Sequence, residues 1–265
     1  MRFWLTGLVW ALAVMTGAAH AAPVQSSSEG KKPAGAYLSL IIDDLGQSPE
    51  KDSRVLALPG PVTVAIMPDT PHATEFARQA HKAGRTVMLH MPMDPATGPY
   101  AWRPDLPLSE LESRLNAALL KVPYAAGINN HEGSRMTAEP VAMAWLAGEL
   151  QRRHLFFVDS RTSAKTVAAA QAQKIGLASL SRDVFLDDER TAEAISGQLQ
   201  TAIRLAHKQG SAVMIGHPYP VTMEVLEREL PKLKAQGIDW IELRHMISIR
   251  GNQAMAGHGK DGVYR

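Results

Sequence analysis

Short apolar runs rich in β-forming residues alternate along this chain with segments whose apolar residues recur at helical spacing. The runs that predict strands cover residues 37–42, 62–67, 86–89, 126–128, 155–158, 212–215 and 240–243. The segments that predict helices cover residues 74–83, 109–121, 139–153, 164–174, 192–208 and 223–235. This alternation predicts an α/β fold with a mostly parallel sheet and helices outside it, as an open sheet or a distorted barrel. We expect one such domain over residues 36–250.

The segment before this domain has the layout of an exported protein. Residues 1–21 contain a basic start, an apolar run and a small-x-small end at Ala19-His20-Ala21, as in a secretory signal peptide. Cleavage after Ala21 would leave a soluble mature protein that meets the membrane only through the signal segment; a retained anchor is the alternative. Residues 22–35 are polar and predict a disordered leader, and residues 251–265 predict a loose tail.

The composition narrows the chemistry that this chain can perform. Basic and acidic residues are nearly balanced, at 28 and 26, so charge gives no reason to expect nucleic acid as a partner. The chain has no cysteine, which excludes disulfides, thiolate zinc sites and cysteine nucleophiles. Neither a Gly-x-Ser-x-Gly nucleophile elbow nor a glycine-rich phosphate loop occurs. Any metal must therefore be bound by histidine and carboxylate.

Several predicted strands run directly into polar residues. These residues are Asp43-Asp44, His90, Asn130-His131, Asp159 and His217. The carboxyl ends of parallel strands share one rim, where α/β active sites form, so we expect these side chains to converge. Adjacent carboxylates after an apolar strand are costly unless a cation or a hydrogen-bond donor offsets their charge. Histidine with carboxylate is a ligand set suited to zinc, so the sequence predicts a divalent metal, zinc above others, at this rim.

Several of these positions also have a structural alternative. A helix cap or a turn would account for Asp43-Asp44, and a structural histidine would account for His90. The segment Asp187-Asp188-Glu189 precedes Thr191 and predicts a cap for the following helix. For His217, a carboxylate such as Asp159 is the neighbour that we expect to keep the imidazole protonated near neutral pH.

Five motifs occur in a specific order along the chain. They are Ile41-Ile42-Asp43-Asp44-Leu45-Gly46, Leu89-His90-Met91-Pro92-Met93, Asn129-Asn130-His131-Glu132-Gly133-Ser134, Phe157-Val158-Asp159-Ser160-Arg161-Thr162 and Ile215-Gly216-His217-Pro218. In these motifs the chain resembles the divergent polysaccharide deacetylase family, periplasmic relatives of the NodB-like carbohydrate deacetylases. The resemblance extends over roughly residues 37–247. It implies a NodB-like distorted (β/α) barrel and a periplasmic location.

The resemblance also implies roles for the matching residues. Asp43 would be the general base, and His217 would be the general acid. Asp44 and His90 would be metal ligands. Water activated by the metal would attack an N-acetyl carbonyl, Asp43 would take its proton, and His217 would protonate the leaving amine.

The chain departs from the family pattern at one ligand. Conventional members have two ligand histidines separated by three residues, but Asp94 stands at that spacing after His90. Either Asp94 replaces the second imidazole or His131 reaches in from the next rim segment; we expect His131, because it retains an imidazole. Substrate contacts are expected from Asn130, Ser134, Arg135 and Asp159.

Two functions follow from these expectations. The first is a metal-dependent hydrolase that removes acyl groups, N-acetyl above others, from an envelope glycan or a related sugar. The second is a catalytically weak or inactive envelope protein that binds glycan or a protein partner through the same cleft. Retention of Asp43, Asp44, His90 and His217 favours the enzyme, whereas the missing second histidine favours the binding protein. Hydrolysis of a phosphate ester or another amide with the same metal is a third, weaker candidate.

Overall fold

The apolar runs of the sequence form a parallel sheet. The structure is a computed structural model that describes the backbone of residues 35–258 and the side chains of residues 35–251. The predicted signal peptide, all but the last residue of the predicted leader and the last seven residues of the predicted tail lie outside the described residues. The strands are β1 (Tyr37–Leu45), β2 (Thr63–Ile66), β3 (Thr86–Met93), β4 (Gly127–Glu132), β5 (Phe156–Asp159), β6 (Ser179–Ser181), β7 (Val184–Phe185), β8 (Ser211–Gly216) and β9 (Asp239–Trp240).

The sheet curves into an incomplete barrel. Its strand order is β6-β5-β4-β3-β2-β1-β8-β7, with β9 beside β1, and every strand pair is parallel. The first and last strands of this order, β6 and β7, are close neighbours along the chain, because β6 ends at Ser181 and β7 begins at Val184. The prediction of a mostly parallel, distorted barrel is therefore confirmed.

Helices connect the strands on the outside of the sheet, as the alternation predicts. They are α1 (Pro49–Leu56), α2 (Ala73–Lys82), α3 (Leu108–Lys121), α4 (Pro140–Arg152), α5 (Ala168–Lys174), α6 (Ala192–Gln209), α7 (Pro220–Glu229) and α8 (Leu243–His258). Short 3-10 helices cover Met136–Ala138, Leu230–Lys232 and Lys234–Gln236. Within residues 35–258, every helix is too short or too polar to span a bilayer.

Strand alternation separates the buried side chains into two layers. An inner layer, on the concave face of the sheet, includes Ile41, Ala65, Met88, Val158 and Ile215. An outer layer, between the sheet and the helices, includes Ile42, Val64, Leu89, Phe157 and Met214. Successive residues of a strand face opposite sides of a sheet, and both sides are covered here, so these strands read as continuous apolar runs.

The last helix corrects the sequence prediction at the C-terminal end. The predicted strand 240–243 is reduced to Asp239–Trp240, and α8 begins at Leu243. Leu243 and Met246 are buried in the inner layer, with Ile247 packed beside them, which is the spacing of a helix rather than of a strand. The helix continues through residues 251–258, so the loose tail predicted there is helical up to His258.

Candidate metal centre

The inward-facing positions of the sheet change from apolar to polar at the carboxyl ends of the strands. Asp43, His90 and His217 each lie two positions beyond a residue of the inner layer. On β4, Asn129 and His131 are two positions apart and so share a face. Strand register pairs His90 with Asn129, which puts these two side chains next to each other. The predicted convergence at one rim is therefore present for Asp43, His90, His131 and His217.

A break in the alternation lets two adjacent carboxylates face the same rim. Asp44 has a left-handed backbone, with φ of 59°, at an irregularity in the pairing of β1 with β2. Such a conformation in a residue other than glycine costs about 1–3 kcal/mol, and it is typical of functional sites. Gly46 follows with φ of 96°, and a Cβ there would lie 2.3 Å from Thr70 Oγ1. The turn after β1 therefore depends on a glycine.

Asp44, His90 and His131 bring three potential ligand atoms together. His131 Nδ1 lies 3.0 Å from Asp44 Oδ1 and 3.1 Å from His90 Nε2. The third side of this triangle, from His90 Nε2 to Asp44 Oδ1, measures 3.3 Å. Ligand atoms about 2.0–2.1 Å from a tetrahedral zinc ion are about 3.3–3.4 Å apart, which is close to these separations. Among the described residues, Asp44, His90 and His131 form a group whose ligand atoms are close enough together to hold a metal ion.

The donor chemistry of this group fits a cation. Asp44 Oδ1 is buried and has no hydrogen-bond partner. His90 Nδ1 lies 2.9 Å from Asn129 Oδ1, so a neutral His90 carries its hydrogen on Nδ1 and directs a lone pair from Nε2 toward Asp44. Lone pairs this close repel one another unless protons or a cation lie among them. Histidine and carboxylate without thiolate form a set suited to zinc.

Burial and neighbouring charges shift the protonation of these groups. Burial raises the pKa of Asp43, and His90 offsets that increase only in part. Burial lowers the pKa of His90, but Asp43 and Asp44 outweigh burial and raise it to about 9. Burial raises the pKa of Asp44, but His131 and His90 outweigh burial and hold it below its ordinary value. The metal-free group is thus an anionic Asp44 beside a protonated His90, and a divalent cation can replace that proton.

His217 lies on the other side of Asp44 and has a carboxylate of its own. His217 Nε2 is 3.8 Å from Asp44 Oδ2, and its Nδ1 is 2.9 Å from Asp187 Oδ1. Asp187 Oδ2 accepts hydrogen bonds from the backbone N–H of His217 and from Thr222 Oγ1. Burial lowers the pKa of His217, but the hydrogen bond with Asp187 and the nearby Asp43 and Asp44 outweigh burial and raise it.

The carboxylate beside His217 is therefore Asp187, and the expectation of Asp159 was wrong. The cap predicted for α6 needs the same correction. Thr191 alone caps that helix, with its side chain accepting from the backbone N–H of Ala194, while Asp187 is buried against His217.

Asp94 is held away from the group of ligand atoms. Its Oδ1 accepts a hydrogen bond from Arg135 Nε at 2.8 Å, and its backbone oxygen accepts from the backbone N–H of Arg135 and of Met136. His131, rather than Asp94, contributes the third ligand atom of the group. Of the two alternatives for that ligand, the geometry therefore favours His131. Arg135 is largely exposed, so its predicted substrate contact stays a prediction, as does that of the half-buried Ser134.

Two of the predicted substrate-binding residues are committed to the interior instead. Asn130 is buried, its Nδ2 donates to the backbone oxygen of Glu132, and its Oδ1 accepts from the backbone N–H of Ser160. Asp159 is fully buried and accepts from Thr166 Oγ1 and from the backbone N–H of Arg161. Both side chains face the outer side of the sheet because their positions alternate with the inward-facing ones. They hold the loops after β4 and β5 and are not free to bind a substrate.

Sequence reasoning missed two residues of the site, and strand parity could have found one of them. Asn129 shares the face of His131, whereas Asn130, the next residue of the strand, must face away. Asp187 lies on the short segment between β7 and α6, where a capping role has the same sequence signal as a buried carboxylate.

A cavity lined by described residues lies elsewhere. Its volume is about 430 Å³, and His154, Phe156, Leu177, Arg244 and Ile247 are among its lining residues. Ala126, which also lines it, precedes β4, so the cavity is at the amino-terminal end of the strands. Its lining is mostly apolar and includes no carboxylate. The chemistry-bearing rim is at the opposite end, and we place the candidate site there.

Comparisons with known proteins identify the family to which this chain is similar. The family model described as divergent polysaccharide deacetylase matches residues 40–247. The uncharacterized protein YibQ of Escherichia coli (strain K12) is 41% identical over 195 residues, which are 72% of this chain and 61% of YibQ. The chain therefore spans about three fifths of the length of that relative.

Solved structures share the fold at low sequence identity. The uncharacterized protein ATU2773 from Agrobacterium tumefaciens C58 matches with a TM-score of 0.77 at 21% identity, over 80% of this chain and 89% of that one. The catalytic domain of peptidoglycan N-acetylglucosamine deacetylase from Eubacterium rectale ATCC 33656 matches with a TM-score of 0.53 at 15% identity, over 80% and 90%. The resemblance seen in the motifs is confirmed: this chain belongs to the divergent polysaccharide deacetylase family.

Proposed function

We propose that this chain is a metal-dependent hydrolase that removes N-acetyl groups from an envelope glycan or a related sugar. One observation carries the proposal: a carboxylate and a histidine lie beside the same group of potential metal ligands. Asp43 Oδ2 is 3.6 Å from His90 Nε2, and His217 Nε2 is 3.8 Å from Asp44 Oδ2. A base, an acid and a metal group at one rim are the parts that metal-assisted amide hydrolysis requires.

Asp44, His90 and His131 would hold the metal in this proposal. Zinc is the ion that we assign, because two imidazoles and one carboxylate leave an open position, as in catalytic zinc sites. When bound, such an ion lowers the pKa of a water molecule and polarises a carbonyl oxygen.

Asp43 is the base in the proposed reaction. Its side chain is almost fully buried, and burial raises the pKa of Asp43 above its ordinary value, which makes the carboxylate a stronger base. Asn129 donates to its Oδ1 at 2.9 Å, which leaves Oδ2 on the side of His90 to take the proton of the attacking water.

His217 is the acid that protonates the leaving amine. Asp187 accepts the hydrogen on Nδ1, so the Nε2–H of a protonated ring is directed toward the ligand group. Because the pKa of His217 is raised, the ring carries its second proton at a higher pH than an ordinary histidine. It can then give that proton to an amine that leaves as the C–N bond breaks.

The proposed substrate class and location come from the family and the N-terminal sequence. The family is that of the polysaccharide deacetylases, and a neighbour in fold is a peptidoglycan N-acetylglucosamine deacetylase. We extend that chemistry to this chain as an acylated glycan substrate. The basic and apolar start of the sequence supports an exported, periplasmic protein.

A second candidate is an envelope protein that binds glycan or a protein partner without catalysis. The observation in its favour is the departure at Asp94, where conventional members carry a ligand histidine and this chain carries a carboxylate paired with Arg135. A site without metal and without turnover would be the mark of this alternative.

Acetate release separates the two candidates. The zinc-loaded protein is incubated with a panel of N-acetylated glycan oligomers, and acetate is measured before and after removal of the metal with a chelator and its return. The deacetylase proposal expects acetate from at least one oligomer, loss of release on chelation and recovery with zinc. No release from any oligomer, together with saturable binding of one of them, would favour the binding protein.

A further inference from the structure

The side chain of Asn129 joins a potential metal ligand to the proposed base. Its Oδ1 lies 2.9 Å from His90 Nδ1, and its Nδ2 lies 2.9 Å from Asp43 Oδ1. The residue is fully buried, and Nδ2 is also 3.3 Å from Ser160 Oγ. The register of β3 with β4 pairs Asn129 with His90. None of these contacts is with solvent, so the amide has one arrangement in which all its partners are satisfied.

The partners of the amide determine which of its ends faces His90. An ionised Asp43 can only accept, so the Nδ2 hydrogens of Asn129 must point to it. The amide oxygen is then left for His90, where it can only accept, so the hydrogen of a neutral His90 ring must be on Nδ1. The lone pair of His90 is consequently on Nε2, which lies 3.3 Å from Asp44 Oδ1 and 3.1 Å from His131 Nδ1.

The same amide also orients the proposed base. Asn129 holds Asp43 Oδ1, and the other oxygen, Oδ2, lies 3.6 Å from His90 Nε2. A carboxylate held by one oxygen keeps the second oxygen in a fixed direction, toward the ligand group. Neither aspartate nor leucine could make both contacts, because the first lacks a donor and the second lacks both groups.

We propose that Asn129 is a positioning residue that, through one amide, presents His90 Nε2 to a divalent metal and aims Asp43 Oδ2 at the reacting water. The part of this inference that concerns metal binding by His90 (the metal half) is independent of the proposed function. The part that concerns Asp43 as the base rests on the proposed hydrolase function. Groups that hydrogen-bond to metal ligands typically change metal affinity about 10–100-fold when they are removed.

Two substitutions at Asn129 separate the two contacts. Asn129→Leu removes both, whereas Asn129→Asp keeps an acceptor for His90 and loses the donor to Asp43. Asn130→Leu is the matched control, because Asn130 is also buried on the same strand but bonds to the backbone of Glu132 and Ser160 and to Thr162 Oγ1, and to none of the site residues. Zinc affinity is measured by competition with a chromophoric chelator, acetate release by direct assay, and folding by thermal unfolding of the metal-free proteins.

The inference predicts different changes in zinc affinity and turnover for the three variants. Asn129→Leu should bind zinc about 10–100-fold more weakly than wild type. Asn129→Asp should keep zinc affinity within about tenfold and lose about a hundredfold or more in turnover. Asn130→Leu should lower the unfolding temperature and leave zinc affinity unchanged.

Other outcomes distinguish this inference from the proposed function. A wild type that binds zinc and releases no acetate would contradict the hydrolase, while weaker zinc binding in Asn129→Leu than in Asn130→Leu would still support the metal half. If Asn129→Leu folds and binds zinc as tightly as wild type, the inference is overturned. It is overturned equally if Asn130→Leu loses as much zinc affinity as Asn129→Leu.

Discussion

The carboxylate of Asp187 holds His217 at two points. Its Oδ1 lies 2.9 Å from His217 Nδ1, and its Oδ2 accepts a hydrogen bond of 2.7 Å from the backbone N–H of the same residue. Gly216 precedes His217, and a Cβ at that position would lie 3.5 Å from Asp187 Oδ2. The ring and the backbone of His217 are thus fixed together, and only Nε2 is directed to the ligand group.

Loss of the Asp187 charge should move the pH dependence of turnover. The acid must be protonated, so kcat/KM falls as the pH rises through the pKa of His217. Asp187 helps to raise that pKa, and Asp187→Asn should therefore shift the alkaline limb of the kcat/KM profile to lower pH. Turnover at the optimum should fall by about tenfold or more. The neighbouring Asp188 is exposed, and Asp188→Asn should leave the profile unchanged; a shift of equal size in both variants would contradict this role.

Replacement of the two adjacent carboxylates, Asp43 and Asp44, should have different effects. Asp43→Asn removes the proposed base and leaves the ligand group intact, so it should keep bound zinc and lose about a hundredfold or more in kcat. Asp44→Asn removes a ligand, so it should lose zinc. Metal content measured beside acetate release checks both. Equal loss of zinc in the two variants would make Asp43 a ligand instead.

Zinc binding should release protons near neutral pH. The pKa of His90 in the metal-free protein is raised to about 9, so the ring is protonated at neutral pH and must lose a proton to bind metal. Zinc affinity should therefore rise with pH up to about pH 9, with release of about one proton. Calorimetry in buffers of different ionisation enthalpy measures the number of protons. An affinity independent of pH would contradict the ionic state that we assign to His90.

Periodicity in the sequence predicts the fold and the location of the site better than it predicts individual partners. Apolar strands followed by polar residues predict one rim, and the structure brings Asp43, Asp44, His90 and His217 together there. A period of two also decides which member of Asn129-Asn130 faces the rim, because His131 must share its face with Asn129.

Other features of the site depend on contacts that a sequence pattern does not contain. The left-handed conformation of Asp44 breaks the alternation, so parity alone would turn it away from Asp43. Asp187 meets His217 only because β7 pairs with β8 at the end of the sheet, a contact between residues 30 positions apart. The buried Leu243 and Met246 lie on a helix whose apolar face covers the inner layer at that end.

Replacement of Asp159 should lower the stability of the protein rather than its zinc affinity. It is fully buried and accepts hydrogen bonds from Thr166 Oγ1 and the backbone N–H of Arg161. Asp159→Ala leaves these donors unpaired, so the free energy of unfolding should fall by about 2–4 kcal/mol while zinc affinity is retained. Chemical denaturation measures this loss. A variant with unchanged stability and weakened glycan binding would restore the substrate-binding role predicted from the sequence.

The most direct test of this account asks which residue completes the metal centre. Zinc stoichiometry and affinity are measured on wild type, His131→Ala and Asp94→Ala, with thermal unfolding of each metal-free protein as the control for folding. Asp94 is paired with Arg135 and contributes nothing to the ligand group, whereas His131 Nδ1 is one of its three atoms. The account predicts one zinc per chain in wild type and in Asp94→Ala, and loss of stoichiometric binding in His131→Ala. One zinc retained in His131→Ala but lost in Asp94→Ala, or no zinc in wild type, would contradict it.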